Sequence, residues 1–206
     1  MTNIKLQDNQ KSAIETYVHS SIEEFSKLSK IDHIVLDKTG FTFQINGVLR
    51  AGLSLAKESE DFCLLLDSAF GDYTTTEDII VFRASNYKEM LRYIEGDRYF
   101  DLGYMSTSKS TESIQRFFEN PKIGYSPVFL KITIPSGSNV LDLNSIVDFN
   151  NTTYEQEILI KRNSIFKIIS LKEIESNEIQ EYIGLEVCET LKKITTMELI
   201  FVKYLS

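Results

Sequence analysis

The sequence predicts an α+β fold: a helical N-terminal part packed on a mostly antiparallel, two-sheet β core. Three observations carry that expectation. Apolar residues in the first third recur at steps of three and four. From Thr74 onward the apolar runs become short and rich in Ile, Val and Phe. The chain has 206 residues, 42% hydrophobic and 25% charged, enough for one domain with a real core. No linker, repeat or low-complexity segment interrupts it. Residues 1–206 are therefore expected to form a single domain, helical over 1–73 and β-rich over 74–206.

Each element has its own signal. Ile14, Tyr17, Val18, Ile22, Phe25 and Leu28 share one face of a first helix. A second helix is expected over 47–57, where Val48, Leu49 and Leu53 fall on one side. The run Phe62-Cys63-Leu64-Leu65-Leu66, between acidic Glu58-Ser59-Glu60-Asp61 and Gly71, reads as a buried helix. Strands are expected at 78–83, 127–134, 157–160, 164–170 and 197–204. Pro135-Ser136-Gly137-Ser138 reads as a turn and 148–153 as a polar loop. A helix is expected from near Ser110, with Ile114, Phe117 and Phe118 on its apolar side.

Composition excludes several functions. A net charge of -8 and a pI near 4.9 argue against a nucleic-acid partner, whose phosphates call for clustered Lys and Arg. Leu191-Lys192-Lys193 reads as a solvated surface. Cys63 and Cys188 lack CxxC spacing and read as buried thiols. His19 and His33 fit no HExxH or HxxxH pattern and read as structural, so no metal is implied. No apolar run approaches the ~20 residues of a membrane span. The polar N-terminus lacks the apolar core of a secretory signal. A soluble protein is expected, either cytoplasmic or leaving its cell by a signal-peptide-independent route.

Three short motifs stand in a particular order. Arg83 ends the strand-like Ile79-Ile80-Val81-Phe82-Arg83. Next comes Tyr104-Met105-Ser106-Thr107-Ser108. Then Glu155-Gln156-Glu157 leads into Ile158-Leu159-Ile160, followed by Asn163-Ser164-Ile165-Phe166-Lys167-Ile168. Each motif alone is weak, and Glu-x-Glu also occurs at Glu58/Glu60 and Glu173/Glu175. Only Glu155/Glu157 lies downstream of Ser-Thr-Ser and heads an apolar strand.

In that order the motifs resemble the arginine–serine–glutamate clade of mono-ADP-ribosyltransferases, of bacterial toxin or effector type. The resemblance covers about 78–169. It implies an ADP-ribosyltransferase-like fold whose β-rich part binds NAD as a substrate. The activity it implies is transfer of ADP-ribose to an arginine side chain of a target protein, with release of nicotinamide.

The chemistry suits these residue types. Breaking the N-glycosidic bond of NAD gives the ribose carbon oxocarbenium character, which a nearby carboxylate stabilises. The resemblance assigns that role to Glu157, through the ribose 2′-hydroxyl. In an extended strand, residues two apart share a side, so Glu155 would face the same cleft and take a proton or hydrogen bond from an incoming guanidinium. By resemblance, glutamate at 155 goes with arginine as acceptor. Arg83 offers a charged planar fork suited to a pair of phosphate oxygens, and by resemblance it would hold the NAD diphosphate and the neighbouring ribose. Ser106 would hydrogen-bond and aim the catalytic carboxylate. Thr107 and Ser108 would shape the pocket floor or serve ordinary sheet bonding. The family's aromatic on nicotinamide falls to Phe117 or Phe118, the other being core. Thr152 stands where the family often carries a target-recognising aromatic, with Phe149 and Tyr154 flanking it. Two alternatives share these residues: an NAD glycohydrolase, with water as acceptor, and a catalytically silent binding module.

Overall fold

A computed structural model describes residues 6–19, 40–119, 126–146, 156–175, 177, 178, 181, 184, 187, 188 and 191–204. The α+β expectation holds. Helices α1 (Asp8–His19), α2 (Phe41–Arg50) and α3 (Lys57–Ala69) form a layer on a sheet of nine strands among the described residues. The strands are β1 (Ile79–Asn86), β2 (Ile94–Glu95), β3 (Arg98–Asp101), β4 (Met105–Ser108), β5 (Pro127–Ile134), β6 (Leu141–Asp142), β7 (Glu157–Ile160), β8 (Ser164–Glu175) and β9 (Lys193–Tyr204). Short helices α4 (Tyr87–Met90) and α5 (Arg116–Glu119) lie between strands.

The sheet runs β2-β3-β8-β9-β5-β1-β4-β7-β6. All pairs are antiparallel except β5–β9. The expected two sheets are two wings of this order. β1 pairs with β5 over its whole length but meets β4 at Phe82↔Ser108 alone. Arg83 therefore stands beside the seam, while Ser106 and Glu157 lie across it on β4 and β7.

The helical layer buries Ile14, Tyr17, Phe41, Ile45, Phe62, Leu66 and Phe70 against Tyr104, Leu141, Leu143 and Leu159 of the smaller wing. A second core, with Val81, Met105, Leu130, Ile132, Ile158, Ile160, Phe166, Met197 and Leu199, fills the space between sheet faces. Burial of this kind stabilises by about 25 cal/mol per Å² of apolar surface.

Three expectations shift. The second helix is α2, ending at Arg50, not a segment over 47–57. Gly52 adopts φ +67°, and the Gly52 and Leu53 amides close a Schellman motif on the carbonyls of Leu49 and Val48 at 2.9 and 3.1 Å. A left-handed glycine at this point stops the helix, and α3 starts afresh at Lys57. Strands β8 and β9 are longer than expected, because Lys172, Glu173, Glu175 and Lys193 continue the ladder on an exposed stretch. Strands β2 and β3 form a hairpin that periodicity does not announce, turned at Gly96 with φ +60°.

The turn at Pro135–Ser138 is present, with Gly137 at φ +83°. The expected helix from Ser110 is a 3₁₀ turn, Glu112–Ile114, followed by α5. Ile22, Phe25, Leu28, His33, the loop 148–153 and Tyr154 lie outside the described residues. No described helix is long and apolar enough to cross a membrane.

Candidate active site

The order of the three motifs becomes a cluster in space. Strands β4 and β7 pair with Ser106 opposite Leu159 and Ser108 opposite Glu157. Alternation puts Ser106 and Glu157 on one face as diagonal neighbours. Ser106 Oγ–H donates to the Glu157 carboxylate. From β1, Arg83 Nη1–H donates to the Ser106 carbonyl at 2.5 Å. Arg83, Ser106 and Glu157 are thus linked in one chain of contacts.

The other proposed positions are distributed differently. Thr107 is buried and its hydroxyl donates to the Ile158 carbonyl at 2.7 Å across the β4–β7 ladder. Ser108 Oγ accepts the Ser110 amide at 2.9 Å, shaping the turn after β4. Phe118 is fully buried against Phe129, Ala84 and Ile114. Phe117 is 37% exposed with Arg116 over its ring, so of the two rings it is the one open to a ligand.

Glu155 lies outside the described residues. The extended-strand argument for a Glu155/Glu157 pair does not carry upstream of β7. Gln156 has φ +42°, so strict alternation starts only at Glu157.

Residues that the sequence analysis missed complete the site. On α2, Asn46 and Arg50 are one turn apart and share a face. Asn46 Oδ1 accepts the Tyr104 amide at 2.7 Å, and its Nδ2–H donates to the Tyr17 hydroxyl at 2.9 Å. Arg50 pairs with Asp101 through Nε at 2.9 Å and Nη2 at 3.3 Å, and donates to the Tyr104 carbonyl at 2.8 Å. Gly103 lets the backbone come this close: a Cβ there would lie 2.8 Å from Asn46 Oδ1 and 3.2 Å from Arg50 Cζ. A usable signal existed in Asn46, a polar residue inside an apolar helical stripe, but placing the helix over 47–57 separated it from Arg50.

The electrostatics follow from this packing. Burial lowers the Arg83 pKa from its ordinary value, and the neighbouring Arg50 lowers it further. Arg50 has its own carboxylate, Asp101, whereas the hydrogen bond from Arg83 goes to a neutral carbonyl. Among the described residues no carboxylate forms an ion pair with Arg83. The Tyr17 phenol is raised mainly by burial, is lowered by the Asn46 bond, and lies in the field of Arg50, Glu157 and Arg83 together. The site therefore holds two guanidiniums and two carboxylates: Asp101 pairs with Arg50 and Glu157 is held by Ser106, which leaves Arg83 as the guanidinium with no ion-pair partner among the described residues. An anionic group would be stabilised there.

The competing Glu-x-Glu pairs have structural partners. Glu60 accepts a two-pronged bond from Arg162 at 2.9 and 2.8 Å. Glu173 and Glu175 flank Lys193 on the exposed β8–β9 ladder at 3.1 and 3.7 Å. Cys63 is fully buried and burial pushes its thiol up to about 12, which leaves it inert as a nucleophile. Cys188 is half-buried rather than buried.

Comparison with known proteins bears on the family and the fold. The family model for the ADP-ribosyltransferase exoenzyme matches residues 38–192. A search of curated proteins gives no match. Among solved structures, the C3 exoenzyme of Clostridium limosum aligns with a TM-score of 0.60 at 18% identity, over 97% of this chain and 87% of that one. The enzymatic component C2-I of the Clostridium botulinum C2 toxin aligns with a TM-score of 0.62 at 18% identity, over 98% of this chain and 44% of that one. Exoenzyme S of Pseudomonas aeruginosa, solved with human 14-3-3 protein beta and bound to carba-NAD, aligns with a TM-score of 0.53 at 15% identity, over 92% of this chain and 81% of that one. At these identities the structures speak to the fold alone. The family match spans most of the sequence, and the chain belongs to the ADP-ribosyltransferase exoenzyme family, whose reaction is NAD-dependent transfer of ADP-ribose.

Proposed function

We propose that this protein transfers ADP-ribose from NAD to an arginine side chain of a target protein, with Glu157 as the catalytic carboxylate. The observation that supports it most is the Ser106–Glu157 hydrogen bond beside Arg83, which has no carboxylate partner among the described residues. In this reading Arg83 and Arg50 hold the diphosphate of NAD, and Ser106 aims Glu157 at the nicotinamide ribose. Phe117 takes the exposed aromatic role next to the leaving group. Thr107 and Ser108 hold the strand and turn that carry Ser106.

The bond from the ribose carbon to the nicotinamide nitrogen breaks, and its electron pair leaves with nicotinamide. A guanidinium nitrogen of the acceptor then bonds to the same carbon and loses a proton. Glu155 is the group proposed to take that proton. The acceptor assignment rests on glutamate at position 155 and on the resemblance of this motif to the arginine-modifying clade. Delivery into another cell is the corresponding proposal for where the protein acts.

The chemical role of Glu157 has a definite size. A carboxylate about 4 Å from a developing unit charge, at an effective dielectric of about 20, contributes about 4 kcal/mol. That is about a thousandfold in rate. Glu157→Gln keeps an acceptor for Ser106 and removes the charge. Nicotinamide release should fall about 10³-fold with little change in the KM for NAD. A Glu157→Gln protein that releases nicotinamide within about threefold of wild type would mean that another group stabilises the cation.

A further inference from the structure

We propose that Asn144 is a positioning residue for Glu157, acting through the backbone peptide that joins Gln156 to it. The inference rests on the assignment of Glu157 just given, and it adds a residue outside the three motifs.

Both polar groups of this one peptide unit are held. The Gln156 carbonyl accepts the Lys109 amide at 3.1 Å. The Glu157 amide donates to Asn144 Oδ1 at 3.1 Å. The two anchors also belong to one assembly. Lys109 Nζ pairs with Asp142 at 2.8 Å. Asp142 is the last residue of β6 and sits opposite Ile158 of β7. Leu143–Ser145 is a 3₁₀ turn, in which Ser145 Oγ–H donates to the Asp142 carbonyl at 2.7 Å and the Ile146 amide to the Leu143 carbonyl at 3.1 Å. The turn carries Asn144 to the start of β7.

This peptide needs holding for two reasons. Gln156 is a non-glycine residue at φ +42°, a conformation that persists only when its surroundings impose it. Glu157 is also the first residue of β7, and its pairing with Ser108 is the last register step of that ladder. The register ends there, and one step upstream the chain is held to the end of β4 by the Lys109 amide on the Gln156 carbonyl. Rotation of the 156–157 peptide would swing the carboxylate away from Ser106 along an arc, and displacements well below 1 Å matter for a catalytic group. Asn144 itself is exposed. Its side chain adds little to the core, so its contribution lies in that single accepted hydrogen bond.

The test compares Asn144→Ala with Asn144→Asp, because the aspartate retains an acceptor oxygen at the same reach and alanine has none. Three quantities are read: hydrogen exchange at the Glu157 amide, kcat and KM for nicotinamide release from NAD, and Tm. Asn144→Ala should speed exchange of that amide about tenfold and lower kcat about tenfold, with KM within about threefold. Its Tm should stay within about 2 °C of wild type. Asn144→Asp should restore exchange and kcat to within about threefold. The proposal is overturned by unchanged Glu157 exchange in Asn144→Ala, by an aspartate variant as impaired as the alanine one, or by a loss carried by KM or Tm. Failure of the functional reading looks different: the wild-type protein would release no nicotinamide, while the exchange comparison would still decide whether Asn144 holds the peptide.

Discussion

Asp67→Ala should destabilise the protein more than any single surface ion pair could, because Asp67 ties the start of β4 and the end of β7 to one helix. Its Oδ1 accepts the Tyr104 hydroxyl at 2.7 Å, and its Oδ2 accepts Arg162 Nε at 2.9 Å. Tyr104 immediately precedes β4, and Arg162 follows the end of β7 by two residues. The Arg162 side chain is 8% exposed and that of Asp67 is 13% exposed, so this is a largely desolvated pair. Breaking such a pair from one side costs about 3–5 kcal/mol. Two contacts survive the substitution and favour the low end. The Glu60 fork remains on Arg162, and the Cys63 carbonyl, 3.0 Å from the Tyr104 hydroxyl, remains as its acceptor. A loss of about 3 kcal/mol in a chain of this length corresponds to a Tm lowered by about 6–12 °C. Thermal unfolding followed by circular dichroism reads it directly. Glu60→Ala is the internal control: the Glu60 side chain is 42% exposed, and its removal should cost about 1 kcal/mol or less. An Asp67→Ala protein melting within about 2 °C of wild type, or a Glu60→Ala protein melting as low, would refute the claim that Asp67 anchors the two strands.

Three further outcomes follow from the site. Ser106→Ala removes a hydrogen bond to a charged group worth about 1.5–3 kcal/mol, so kcat for nicotinamide release should fall about 10–100-fold while NAD binding measured by calorimetry holds. Gly103→Ala puts a methyl group into Asn46 and Arg50. Overpacking of that kind costs about 1–3 kcal/mol, and steady-state kinetics should show a raised KM for NAD; an unchanged KM would mean that Arg50 does not hold the dinucleotide. Glu155→Gln should abolish adduct formation on a small guanidine while nicotinamide release continues, and an undiminished adduct yield would remove Glu155 from acceptor selection.

Much of this architecture is legible in the sequence wherever one periodicity is uninterrupted. Val81, Arg83, Ile158, Ile160 and Ile132 sit on strands that read as short apolar runs rich in Ile, Val and Phe, and the Ser106–Glu157 juxtaposition follows once β4 and β7 are placed side by side. The Gly52 stop was also readable, since a glycine just past an arginine is a usual helix end. The β2–β3 hairpin escaped because its strands are short and rich in charge, leaving the Gly96-Asp97 turn as its only mark. Tyr17, Asn46, Arg50 and Asp101 escaped for a different reason. Their roles depend on two helices packing against a strand end far away in sequence, and no spacing along the chain encodes that meeting. The thermodynamic signature of the site, a half-buried guanidinium whose hydrogen bond is to a carbonyl, appears only in three dimensions.

The most direct test of the central claim is incubation of the purified protein with NAD and agmatine, a small guanidine, with mass spectrometry of the products and Glu157→Ala as control. ADP-ribosyl-agmatine formed together with nicotinamide, and absent in the Glu157→Ala reaction, is the expected result. Nicotinamide accompanied only by free ADP-ribose would contradict transfer to arginine, and turnover that persists without Glu157 would contradict the assignment of the catalytic carboxylate.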